Sequence, residues 1–146
     1  MSGGIAELRD SGILLQLAYQ AMLELELDIP LIFERCGVKA EFLQDRNIRT
    51  PHAAQKLFWQ VVEEVSGDPH IGLHIAEKMP VYKGQVLQYL FLSSPTFGDG
   101  LNRALNYQRL LSDATLATFE MMGNEASIRV SSANEQVRDL RHLSEA

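Results

Sequence analysis

From Ile13 to Leu27 the apolar residues Ile13, Leu14, Leu17, Ala18, Ala21, Met22 and Leu25 recur three and four apart, the spacing that stacks side chains on one face of an α-helix. Asp28 and Pro30 stop this stripe and open a short second helix, Pro30 to Arg35. It closes at Cys36-Gly37, where glycine accepts the left-handed conformation that ends helices. Another turn is predicted around Lys39 to Leu43. Thr50-Pro51 joins a capping side chain to a proline, which predicts a helix start. Ala54, Leu57, Phe58, Val61, Val62 and Val65 then form its apolar face up to Ser66-Gly67, with Trp59 off the centre.

Three short helical segments follow between Gly67 and Asp113, the stretch around which the rest of the chain is expected to be organised. Asp68-Pro69 repeats the cap-plus-proline pattern, and Ile71, Ile75 and Ala76 share a face. Val86 to Ser94 is apolar nearly all round, the pattern of a helix enclosed on every side, and it ends at Ser94-Pro95. Thr96 stands three residues before Asp99, a capping-box variant that sets a carboxylate near the positive end of the helix. Leu101, Ala104, Leu105, Gln108 and Leu111 continue at helical spacing.

The period then changes to two. Ala114 to Met122 is rich in β-branched and aromatic residues, Gly123-Asn124 turns, and Ala126, Ile128 and Val130 alternate with Ser127, Arg129 and Ser131, which predicts a β-hairpin. Asn134 is expected to cap a last helix holding Val137, Leu140 and Leu143. The fold class is therefore α+β, mainly helical with a C-terminal β-hairpin. One domain is expected over residues 13–146, with residues 1–12 loosely held because Gly3-Gly4 and Ser11-Gly12 break local order. A two-stranded hairpin alone is marginal in water, and the last helix stops in mid-pattern. The chain is thus expected to be a truncated domain that continues further, or one that completes its sheet with a second copy. The hairpin edge and the face carrying Trp59 are the two candidate interfaces.

Composition narrows the function classes. The 146 residues suffice for a single core. No apolar run reaches membrane-spanning length and no signal peptide opens the chain, so a cytoplasmic location is expected. Cys36 is the single cysteine and reads as a small apolar residue rather than a nucleophile. The net charge of −6 divides as 6 basic against 11 acidic residues over positions 1–70 and 7 against 8 over the remainder, which gives no basic footprint for phosphates. The helix-turn-helix look of Ile13 to Val65 has only Arg46, Arg49, His52 and Lys56 as a local basic cluster. A plain helical subdomain is the better reading there.

His70 and His74, four apart, would point both imidazoles from one helix face, a geometry that suits zinc. The glutamate of HExxH is replaced by Ile71, and nothing in spacing selects His52, His142, Cys36 or Glu77 as a third ligand. A small metal-assisted hydrolase built on His70 and His74 is the alternative function. Ser93-Ser94 lacks a nucleophile elbow and reads as a helix ending, and Gly98 and Gly100 do not complete GxGxxG because Arg103 stands at its last position.

The run GDPHIGLHIAEKM, followed by GQVLQYLFLSSPTFGDGLNRALNYQRLLSD and the hairpin, resembles the N-terminal regulatory, arabinose-binding-domain-like half of AraC-type bacterial transcription regulators. The marks are Gly67-Asp68, Gly72-Leu73, Gly84, Leu87, Ser94-Pro95-Thr96, Leu101, Ala104 and Leu105, and the tail Arg141 to Ala146 is similar to the start of a helix that the family continues. The resemblance implies a non-enzymatic sensor that binds a small-molecule effector and forms a homodimer. DNA would be read only by a C-terminal helix-turn-helix domain absent from this chain, and neither cofactor nor membrane is implied. For the effector, Tyr89, Arg103, Tyr107 and Arg109 are the candidate polar contacts: Arg103 and Tyr107 share a helix face, and a guanidinium suits a carboxylate.

Overall fold

Asp28 and Ser11 begin the first two helices by the same chemistry. The Ser11 hydroxyl accepts from the Ile13 N–H at 3.3 Å to start α1 (Gly12–Glu24), and the Asp28 carboxylate accepts from Leu31 N–H at 3.1 Å to start α2 (Ile29–Cys36). The computed structural model describes residues 7–45, 47–80, 85–132 and 141–145. A 3-10 turn, Ala40–Leu43, occupies the predicted position. Helices α3 (Ala54–Ser66) and α4 (Ile71–Lys78) follow, then α5 (Val86–Leu92), α6 (Phe97–Asn106), a 3-10 turn at Gln108–Leu110, and α7 (Arg141–Glu145). Gly37 and Gly67 close α2 and α3 at φ of 65° and 64°, where a side chain would be strained.

The strands form two antiparallel pairs. β3 (Thr115–Met122) and β4 (Glu125–Ser132) make the predicted hairpin, turning at Gly123-Asn124, with Phe119 opposite Ile128. β1 (Arg9–Ser11) pairs with β2 (Arg49–Pro51), with Asp10 opposite Thr50. Two expectations are corrected here. Residues 9–11 are fixed rather than loose, because both edges of β1 are bonded: one pairs with β2, and on the other Ser11 N–H donates to Leu111 O at 2.6 Å and Asp113 N–H donates to Arg9 O at 2.9 Å. Thr50-Pro51 does not start a helix, because it is a strand partner of β1. Helix α3 begins only at Ala54, with no side-chain cap.

The core lies between α1, α2, α3 and α4, where Met22, Ile32, Val62 and Ile75 are fully buried. Trp59 is buried too, at 4% exposure, so it belongs to the inward stripe of α3 while Leu57 faces solvent, and its face is not an open interface. Asp68 starts a turn through His70 N–H at 2.8 Å, and α4 proper begins at Ile71. The enclosed helix expected over 86–94 is corrected most strongly. α5 packs on α6 through an edge-on Phe91–Phe97 contact with centroids 5.3 Å apart, only Leu87 is buried, and Tyr89 and Leu92 lie 64% and 69% exposed. Seven residues packed chiefly on one neighbour among the described elements cannot be covered all round, whatever their composition. The predicted capping box of α6 is present, with Thr96 Oγ1 accepting from Asp99 N–H at 3.2 Å and donating to Asp99 Oδ2 at 2.7 Å.

Besides the Ser112 hydroxyl at its start, one side chain grips the hairpin by its backbone. Gln108 donates to Ala117 O at 2.9 Å and accepts from the Ala117 N–H, so its amide acts as a short stretch of neighbouring strand. β4 stays uncovered among the described residues, with Ile128 and Val130 exposed. The Asn134-capped start of the last helix lies outside the described residues.

Helices α5 and α6 cross where Gly100 meets Phe91. A Cβ at position 100 would stand 2.8 Å from the Phe91 carbonyl oxygen. Gly100→Ala is expected to force the pair apart and destabilise the protein by about 1–3 kcal/mol, measured by urea denaturation; an unchanged midpoint would show that the crossing is slack.

Candidate functional site

Asp10 sits at the junction of three sequence-distant segments and is 1% exposed. Its carboxylate is held on all sides: His52 Nδ1 lies 2.9 and 2.8 Å from its two oxygens, Gln55 Nε2 donates to Oδ2 at 2.9 Å, and Ser112 Oγ donates to Oδ1 at 2.6 Å. A carboxylate only accepts, so Nδ1 carries the imidazole proton. Buried charge is tolerable only with such saturation. The network extends outward, for Gln55 Oε1 accepts from Trp59 Nε1 at 3.0 Å, and Ser112 Oγ accepts from Ala114 and Thr115 N–H at 3.1 and 3.3 Å. His52 Nε2 is buried with no hydrogen-bond partner among the described residues.

Ser, His and Asp side chains so close together invite comparison with a hydrolase triad. The order is wrong for one: the serine hydroxyl donates to the carboxylate, whereas a nucleophile must hand its proton to the imidazole. The cluster is an anchor.

Beside it lies a cavity of about 350 Å³, within the range of small-molecule sites. Its walls come from almost the whole chain: α1 supplies Leu14 and Ala18, α3 supplies Phe58 and Trp59, Leu105 and Gln108 flank the α6 end, Ala117 comes from β3 and Leu143 from α7. Gln55 and Ser112 bring the rim of the Asp10 network into it.

Tyr89, Arg103, Tyr107 and Arg109 line no part of this cavity. Tyr89 and Tyr107 face outward, Arg103 Nη1 approaches Ser93 and Ser94 Oγ at 3.5 Å each, and Arg109 is exposed on the 3-10 turn after α6. The cavity's own polar residues went unnoticed because Gln55, Thr50 and Ser112 are ordinary polar residues in sequence. Their relation to Asp10 spans up to 102 positions, and only the alternation of Thr50 and Asp10 on paired strands would have hinted at it.

The histidines take separate roles. His74 Nδ1 lies 2.5 Å from Asp68 Oδ2, and His70 Nδ1 meets the Arg141 guanidinium. His52 belongs to Asp10, and His142 Nε2 donates to Glu63 Oε2 at 2.6 Å. Among the described residues no three His, Cys, Asp or Glu side chains are arranged to hold a metal. The basic cluster is likewise dispersed: Arg49 bonds Arg9 O at 2.9 Å and Asp113 at 3.1 Å, His52 is interior, and Arg46 lies outside the described residues. Burial pushes the Cys36 thiol up, with Arg35 opposing weakly, so the thiol is protonated at neutral pH. Ser93 and Ser94 both turn back to Leu90 O, as helix-ending residues do. No helix among the described residues is long and apolar enough to cross a membrane.

A family model described as the arabinose-binding domain of AraC transcription regulator, N-terminal, matches residues 27–146. No curated protein matches the chain.

Removing the Asp10 carboxylate strands the buried His52 and Ser112 and the half-buried Gln55. Asp10→Ala is expected to lose about 3–5 kcal/mol of unfolding free energy in chemical denaturation, and a loss under 1 kcal/mol would show that the junction is not an anchor. At the surface, the His70 N–H and then His74 hold the Asp68 carboxyl below its ordinary 3.8. A group with a depressed folded value stabilises above its unfolded value and ceases to do so as pH falls through the folded one. The Tm advantage of the wild type over Asp68→Ala is therefore expected at pH 7 and to shrink below pH 3.8; a pH-independent difference would contradict the assignment.

Proposed function

This chain belongs to the family of N-terminal arabinose-binding domains of AraC transcription regulators, and we propose that it is the effector-sensing, self-associating half of such a regulator, with the effector held in the cavity beside Asp10. In this reading residues 13–146, extended at the front to take in β1, form the sensing unit of a bacterial, cytoplasmic protein, and the DNA is read by an attached helix-turn-helix domain outside this chain. No chemical step is assigned to it. The observation that carries the reading is the cavity itself, whose walls run from Ser11 to Leu143. A ligand there touches elements that only the complete fold brings together.

The route outward runs through α7. Leu143 faces the cavity, while the neighbouring His142 is seated between helices: its Nε2 donates to Glu63, the Gly72 N–H donates to Nδ1 at 3.4 Å, and its ring stands 6.2 Å from that of Trp59. Gly72 has no side chain because a Cβ there would stand 2.7 Å from His142 Cα. Effector binding and α7 docking then bias one another, and the helix passes the bias to whatever follows.

A thermal-shift screen of small metabolites against this chain tests the reading. A ligand present at 100 times its Kd is expected to add about 2.7 kcal/mol, to be unaffected by Tyr89→Phe or Arg109→Ala, and to slow trypsin cleavage after Arg141 several-fold. A ligand whose affinity depends on Tyr89 or Arg109 would move the site to the α5–α6 surface, and unchanged cleavage would remove α7 from the route. Sedimentation equilibrium checks self-association, for which a monomer at all concentrations is the contrary result.

A further inference from the structure

The cavity's chemistry narrows what it can hold, granting that it is the effector site proposed above. Among the described residues, 13 of its 19 lining side chains are apolar, the other six are neutral, and none is charged. The six polar ones are Ser11, Thr50, Gln55, Gln108, Ser112 and Thr115, and several are already spent. Gln108 gives both N–H groups to Leu105 O and Ala117 O and accepts from Ala117 N–H. Ser112 gives its proton to Asp10 and accepts twice. Gln55 keeps one N–H and one lone pair. Ser11 Oγ accepts from Ile13 N–H but its proton has no acceptor, and the Thr50 and Thr115 hydroxyls have no partner, among the described residues. These free groups gather at one end, for Ser11 adjoins Asp10, Thr50 is the strand partner of Asp10, Gln55 is bonded to it, and Thr115 N–H is bonded to Ser112.

From this we propose that the ligand is a neutral amphiphile: an apolar body that fits a cavity of about 350 Å³, ending in a hydroxyl or carbonyl that meets the free groups at the Asp10 end, Gln55 and Thr50 foremost. A sugar fails on satisfaction. Its several hydroxyls would lie against Leu14, Phe58 and Met79, each losing water without replacement. An ionised carboxylate fails on charge. The Gln55 amide nitrogen that would receive it lies 2.9 Å from Asp10 Oδ2, so two anions would share one amide, with no cation among the described lining residues to offset them. The family's description as arabinose-binding is thus not matched by the polarity of this cavity.

Trp59 is the single tryptophan and lines the site, so its emission reports occupancy. The chain is titrated at pH 7.5 with 1-octanol, octanoate and L-arabinose. Octanol is expected to change Trp59 emission saturably, octanoate at least tenfold more weakly, and arabinose not at all. Ala54→Phe and Ala117→Leu, each filling the cavity from a different wall, are both expected to abolish the octanol response with the far-UV spectrum retained. Octanoate or arabinose binding as well as octanol does, with sensitivity to the same variants, would overturn the ligand class and leave the sensor reading standing. No saturable response to any of the three, or an octanol response untouched by both folded variants, would overturn the class together with the placement of the effector in this cavity.

Discussion

A carboxylate withdrawn from water must be surrounded by donors, and Asp10 recruits its donors from β2's edge, the first turn of α3 and the segment before β3. Strand β1 is too short for its backbone pairing to hold the N-terminus alone. The side-chain network and the bonds from Ser11 and to Arg9 join residues near 10, 50 and 112 into one seam. Because Ser112 also fixes Ala114 and Thr115, the seam sets where β3 starts. Gln108 sets its register on the body by clasping Ala117. The hairpin, the α6 end and the N-terminal helices are thus positioned by polar contacts, while the apolar core proper is confined to α1–α4.

That division explains the cavity. The helical core packs densely, with several side chains at zero exposure. The second group, α5, α6 and the hairpin, meets it along a seam whose polar residues bond one another rather than filling the space between. What remains, among the described residues, is an apolar chamber whose unsaturated polar groups gather at the Asp10 end. Long-range contacts hold its walls apart, and the chamber exists only while the seam is closed.

Local order was legible in the sequence where the signal is local. The Asp28 cap, the Gly37 and Gly67 stops, the Thr96–Asp99 box and the strand through Ile128 and Val130 all occur as their residues predict, although that strand buries neither face. The failures share one cause. Thr50-Pro51 looks like a helix start until β1 claims it, Val86 to Leu92 looks enclosed until its packing, chiefly on α6, is seen, and Trp59 looks off-stripe until α7 and Gln55 close over it. Each depends on partners tens of residues away. The family was legible because spacing survives in one dimension. The cavity was not, since its walls are drawn from positions 11 to 143 with no motif among them.

The strength of the coupling follows from how an effector meets α7. Only the part of its binding that differs between two positions of the helix can shift them. Packing against Leu143 supplies about 1.5–3 kcal/mol, whereas moving a two-state equilibrium from 1:99 to 99:1 takes a difference of about 5.5 kcal/mol. Under the proposed route, that is too little to drag a firmly held helix from one position to another. The route therefore requires the docking of α7 to lie near balance, and its contacts are of that kind. The His142–Glu63 pair has its carboxylate half exposed, so water and salt screen it, and the Gly72 N–H meets His142 only at 3.4 Å. A single apolar residue, Leu143, reaches into the chamber. Loss or gain of that one side chain's packing is comparable to what the ligand supplies, which is the condition under which a small neutral molecule can set the position of a helix.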